Sequence, residues 1–133
     1  MRTDAWQRPF TRAVTLTAAL LLGACATYQA YEGPKKPTSE VAIIEGTAKV
    51  RTVLPLALVI RAVEGREVGL QYSSVAVTPG KHEIIVDCQV SGETATASRH
   101  AIEVDVSAGE RYRLSARMSP GNRSCADVTL ETI

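Results

Sequence analysis

The chain has 133 residues, 15 of them basic and 14 acidic, with 45% hydrophobic and only 5% aromatic side chains. That length suits a single domain. A net charge of +1 offers nucleic acid no basic surface to bind, and so few aromatic rings argue against a sugar-stacking platform.

The first element is an export signal. Arg2, Arg8 and Arg12 make a positive n-region, and Ala13 to Leu22 is an apolar run too short to cross a bilayer as a permanent helix. Leu20-Leu21-Leu22-Gly23-Ala24-Cys25 closes the run as a lipobox, in which small residues before the cysteine let a peptidase reach extended backbone. Residues 1–24 are therefore expected to be a lipoprotein signal peptide. Cys25 is expected to carry a diacylglycerol on its thiol and a further acyl chain on its freed amine. Two or more chains hold a protein on a membrane where one does so only marginally. The mature chain is then anchored to the bilayer without crossing it, since no later apolar run has spanning length. Ala26, rather than an aspartate, follows the cysteine. In enteric-type bacteria that pattern is sorted to the outer membrane, so the expected place is the periplasmic face of the outer membrane in the cell envelope. Loss of the signal removes the only Trp and the only Phe, and the aromatics left are four tyrosines.

Ala26 to Glu40 holds Gly33, Pro34, Pro37 and the pair Lys35-Lys36, with almost no apolar periodicity. Residues 25–40 read as the lipidated cysteine and a tether, which would reach roughly 45 Å if extended like polyproline. The two lysines fit a solvated linker better than a head-group contact.

From Val41 the period becomes two, and residues 41–133 read as the folded domain. Val41 to Ile44 is a short apolar strand. Leu56 to Val63 is a second, entered at Pro55 and ended by Glu64-Gly65. Val75-Ala76-Val77 runs into Thr78-Pro79-Gly80-Lys81, a type II turn signal, with a return strand that sets His82, Ile84, Val86, Cys88 and Val90 on one face. Ile102, Val104 and Val106 alternate with Glu103 and Asp105. After Ser107-Ala108-Gly109, Tyr112, Leu114, Ala116 and Met118 alternate with Arg111, Arg113 and Arg117. A three-residue loop with Gly109 left-handed predicts a hairpin here, pairing Asp105 with Arg111 and Glu103 with Arg113. Ser119-Pro120-Gly121-Asn122 is a further turn cluster, and Ala126, Val128 and Leu130 alternate in a last strand. About seven strands with turns every 8 to 15 positions predict an all-β, two-layer antiparallel β-sandwich, with a small β-barrel as the alternative.

With Cys25 assigned to lipid, Cys88 and Cys125 remain. In an oxidising compartment they are expected to form a disulfide, which contributes roughly 3–4 kcal/mol by restricting the unfolded chain.

Tyr31-Glu32-Gly33-Pro34 with Glu40-Val41-Ala42-Ile43, and Ala108-Gly109-Glu110-Arg111-Tyr112, resemble the start and end of small bacterial lipoproteins. Ile60-Arg61-Ala62-Val63-Glu64-Gly65 and Val75-Ala76-Val77-Thr78-Pro79-Gly80-Lys81-His82 are similar to PEGA-type β-sandwich modules, although Glu64 stands where those carry Asp. The resemblance implies a sandwich fold, an envelope address and a binding or spacer role, and brings no catalytic residue or cofactor with it.

The residues give chemistry little to work with. His82 and His100 are single and distant, and the serines lie in no nucleophile elbow. No phosphate loop or metal-ligand spacing occurs. No cofactor is implied and no enzyme is expected. The best candidate for binding an anion or a partner is the arginine ladder Arg111, Arg113 and Arg117. In the expected hairpin register Arg117 faces Arg99, a pair of like charges that an external anion would relieve. The expected function is a non-enzymatic envelope module, anchored in the lipid bilayer through Cys25, that binds a protein partner or peptidoglycan. The alternative is a lipid-anchored inhibitor of a lysozyme-type hydrolase, because Ser107 to Tyr112 is similar to the "S-G-x-G-x-R-Y" stretch of such inhibitors but lacks its second glycine.

Overall fold

The period-two segments do become strands. The computed structural model describes residues 27–47, 55–92, 95–121 and 123–133; the expected signal peptide, its lipobox and Cys25 lie outside them. The strands are β1 (Thr27–Gln29), β2 (Ala42–Glu45), β3 (Leu56–Val63), β4 (Arg66–Glu67), β5 (Ser74–Val77), β6 (Gly80–Val90), β7 (Thr96–Val106), β8 (Arg111–Met118) and β9 (Cys125–Thr132). They form two sheets, ordered β1-β5-β2-β8-β9 and β4-β3-β6-β7, and neither closes into a barrel. The all-β sandwich is the architecture.

The core lies between the sheets. Ile44, Val75 and Val77 from one and Val63, Ile84 and Val86 from the other are fully buried. Each such side chain contributes on the order of 1.5–3 kcal/mol by leaving water. Cys88 on β6 and Cys125 on β9 form the expected disulfide, which ties the two sheets together with a Cα–Cα distance of 6.4 Å. In β9 the inward residues are Cys125, Val128 and the half-buried Leu130, while Ala126, read in alternation with Val128 and Leu130, is exposed. A bulge explains the change of phase: Arg117 pairs with Asp127 but the next residue, Met118, pairs with Cys125.

Two expected hairpins are instead crossings between sheets. β5 and β6 do not pair, and Thr78-Pro79 carries the chain from one sheet to the other. β7 and β8 do not pair either. β6 takes the ladder of β7 over all eleven residues of each, from Gly80 with Val106 to Val90 with Thr96. β8 is already flanked by β2, parallel to it, and by β9. Gly109 does adopt the left-handed conformation, φ 79°, but its N–H donates to the carbonyl of Val41 and the Ile43 N–H donates to Glu110. The turn thus delivers the chain to β2 and not back onto β7.

The segment read as a tether is folded. β1 adds to the free edge of β5 in parallel, Thr27 opposite Ser74. Tyr31 then covers the outer-face patch of Val41, Ile43 and Ala76. The Gln29 amide donates to the carbonyls of Tyr31 and Gly33 at 3.2 and 2.8 Å, and the Tyr31 hydroxyl accepts from the Lys36 N–H at 2.9 Å. Glu32 pairs with Arg66 of β4. Residues 27–31 thus pack on the edge and outer face of the sandwich, while 32–40 run exposed over it, held by these polar contacts.

Candidate binding site

The alternation of β8 places Arg111, Arg113 and Arg117 on one outer face, as read from the sequence. Their acids are different ones. Because β2 runs parallel to β8, Glu45 comes to stand opposite Arg113, and its two carboxylate oxygens take Arg111 at 2.8 Å and Arg113 at 3.4 Å. The hydrogen bond from Arg111 holds the Glu45 carboxyl below the ordinary carboxylate range, against partial burial that pushes it up. On the other side of β8, Glu131 stands opposite Arg113 and Asp127 opposite Arg117. The expected partners Glu103 and Asp105 belong to the other sheet, where they face Glu83 and Lys81.

Arg99 does not join this ladder. It sits on β7, and its Nε and Nη2 donate to the two oxygens of Asp87 at 2.8 and 3.2 Å. That carboxylate holds the guanidinium above its usual value. The expected juxtaposition of Arg99 with Arg117 is therefore corrected: they lie on different sheets, each opposite an aspartate in register. A face whose guanidiniums alternate with carboxylates gives an anion no net charge to bind.

Both nitrogens of His82 are engaged, Nε2 with the Thr78 carbonyl at 2.6 Å and Nδ1 with Glu64 at 3.1 Å. The same Glu64 oxygen accepts the Glu83 N–H at 3.1 Å, so the pair clamps the β3–β4 turn onto β6. His100 Nε2 meets the Ser98 hydroxyl at 2.9 Å. Among the described residues, no three His, Cys, Asp or Glu side chains gather as a metal site would need.

The feature that sequence reasoning missed is a groove. β7 and β9 are the end strands of their sheets, and they lie along the same side of the sandwich. Between them opens a cleft of about 430 Å³, with Ile102, Val104, Tyr112 and Leu130 in its lining and Glu103 and Asp105 among its polar residues. The disulfide holds β9 to β6, the strand next to β7, so the two edges are fixed relative to each other. The signal was present in Ile102-Glu103-Val104-Asp105, but it was spent on a β7–β8 pairing that does not form.

In comparison with known proteins, no family model matches the chain, and no curated protein or solved structure matches it either.

Proposed function

We propose that this chain is a lipid-anchored protein of a bacterial envelope, held at the periplasmic face of the outer membrane through acylated Cys25. There it works as a non-enzymatic binding module. The lipobox Leu20 to Cys25 supports the anchor, and the resemblance to PEGA-like lipoprotein modules points the same way. The binding role is carried by one observation, the groove between the edges of β7 and β9, which have no further strand beside them among the described residues. A cleft that mixes apolar side chains with Glu103, Asp105, Thr129 and Thr132, beside two strand edges left unpaired among the described residues, suits an extended segment of a protein partner, which can add to an edge while its side chains enter the cleft. Peptidoglycan would instead rely on the arginine ladder, and Glu45 already neutralises two of its members. A protein partner is the better fit.

The test is a photo-crosslinking amino acid placed at Thr129, on the groove, in the full-length lipidated protein in cells, with the same probe at Ser115 on β8 as control. One dominant protein captured from Thr129 and absent from Ser115 is the expected result. If that protein were a lysozyme-type hydrolase, the module would be its inhibitor. Equal capture of abundant wall and membrane neighbours at both positions would contradict a binding role for the groove.

A further inference from the structure

Only Ala26 separates Cys25 from Thr27, the first residue of β1. Two peptide links span at most about 7 Å. That is close to the thickness of the headgroup layer, roughly 5–7 Å on each side of the hydrocarbon. Thr27 is not free to move away, because its register with Ser74 fixes it to β5 and its Oγ1 meets the Ser74 hydroxyl at 2.8 Å.

The residues beside Thr27 suit such a position. β1 and β5 are parallel, so the turn that leads into β5 lies at the same end as the start of β1. In that turn the Tyr72 N–H donates to the Gly69 carbonyl, and the Tyr72 ring packs edge-on against Tyr28 at 5.3 Å between centroids. Both rings are half-buried against the core, so they close this end of the sandwich, and tyrosine, apolar in body and polar at its tip, is a side chain that membrane interfaces favour. Leu70, in the same turn, is 50% exposed; among the described residues only Ile133 is another exposed large hydrophobic. Ile133 donates its N–H to Arg111 at the start of β8. β2 and β8 both run toward the end where β1 starts, so Ile133 lies at the opposite end.

We infer that the sandwich rests on the bilayer without a spacer, with one corner, the start of β1 and the turn Gly69 to Tyr72, seated in the headgroup layer and Leu70 reaching the acyl boundary. This rests on the acylation of Cys25 proposed above. It has a consequence for recognition. β1 and β4 are the end strands on the seated side, and β7 and β9 are the end strands on the other. The groove therefore faces away from the membrane, open to a partner in the periplasm.

The only Trp of the chain lies in the signal, so an introduced one reports alone. The experiment uses full-length protein purified from membranes and reconstituted in phosphatidylcholine vesicles with brominated acyl chains. Leu70→Trp should lose most of its emission relative to unbrominated vesicles, and Thr129→Trp should lose none. A Gly/Ser linker of about 12 residues inserted between Ala26 and Thr27, with a reach of about 20 Å, should restore the emission of Leu70→Trp. Equal quenching at both positions, or quenching at Leu70→Trp that survives the linker, overturns the inference. The intact mass of the same samples reads acylation separately: an acylated protein without quenching refutes the seating alone, whereas an unacylated Cys25 refutes the anchor and the seating with it.

Discussion

Removing the Cys88–Cys125 disulfide should cost this domain a large part of its stability. The two half-cystines are 37 positions apart, and the bridge joins β6 of one sheet to β9 of the other. Closing a loop of that length restricts the unfolded chain by about 4 kcal/mol, against a total of roughly 5–15 kcal/mol for a domain of ordinary stability. Both half-cystines are buried, with Cys88 1% and Cys125 8% exposed, so alanine at each position also leaves a one-atom cavity that adds a little to the loss. The assay is urea unfolding of the chain from Ala26 onward, followed by far-UV circular dichroism. With a slope near 1.5 kcal/mol per molar, the midpoint of Cys88→Ala plus Cys125→Ala should fall by roughly 2–3 M. Either single variant should lose nearly as much as the double, because one cross-link is lost in every case. A double variant whose midpoint moves by less than about 0.5 M, or single losses that simply add, would refute the reasoning.

Tyr112→Phe should destabilise by about 1 kcal/mol, since the tyrosine oxygen accepts the Ser107 N–H at 2.9 Å and ties down the crossing from β7 to β8; thermal unfolding checks this. Gly46→Ala should lower the melting temperature, at a cost of about 1–3 kcal/mol. A Cβ there would stand 2.7 Å from the Leu58 carbonyl oxygen and 3.1 Å from Ile60 Cγ1. Glu45 makes stability depend on pH on the acid side. Its folded carboxyl lies below the ordinary value of 4.5, so the unfolded chain protonates first, and the contribution is complete above 4.5 and lost as pH falls through the lower folded value. The arginine partners are more than half exposed, which limits the effect to about 0.5 kcal/mol. Urea midpoints measured from pH 6 down to 3 should decline less steeply for Glu45→Gln than for the parent.

Alternation along the chain tells which side chains share a face, and in β6 and β8 it did so correctly. It does not tell which strand lies alongside. Ser107-Ala108-Gly109 has the composition of a hairpin loop, and Glu103 and Asp105 complement Arg111 and Arg113 in charge. The same left-handed glycine serves equally well to cross between sheets, and Glu45, 66 positions before Arg111, is an acid that local pattern has no means of selecting. The three residues of β1 were illegible for a different reason. Thr27-Tyr28-Gln29 is too short to show a period, it is followed closely by Gly33, Pro34 and Pro37, and it becomes a strand only because β5 offers it an edge. The disulfide was legible because reading Leu20 to Cys25 as a lipobox set one of three cysteines aside and left Cys88 and Cys125. The groove was not, because a cleft between edges depends on knowing which strands are edges.

Lipid anchoring is tested most directly by the intact mass of the protein extracted from membranes of cells expressing the full-length chain. The expected mass is that of residues 25–133 carrying a diacylglycerol and an amide-linked acyl chain, with Cys25→Ser remaining at the length of the uncleaved chain. An unmodified protein, or one whose first residue is not Cys25, would contradict it.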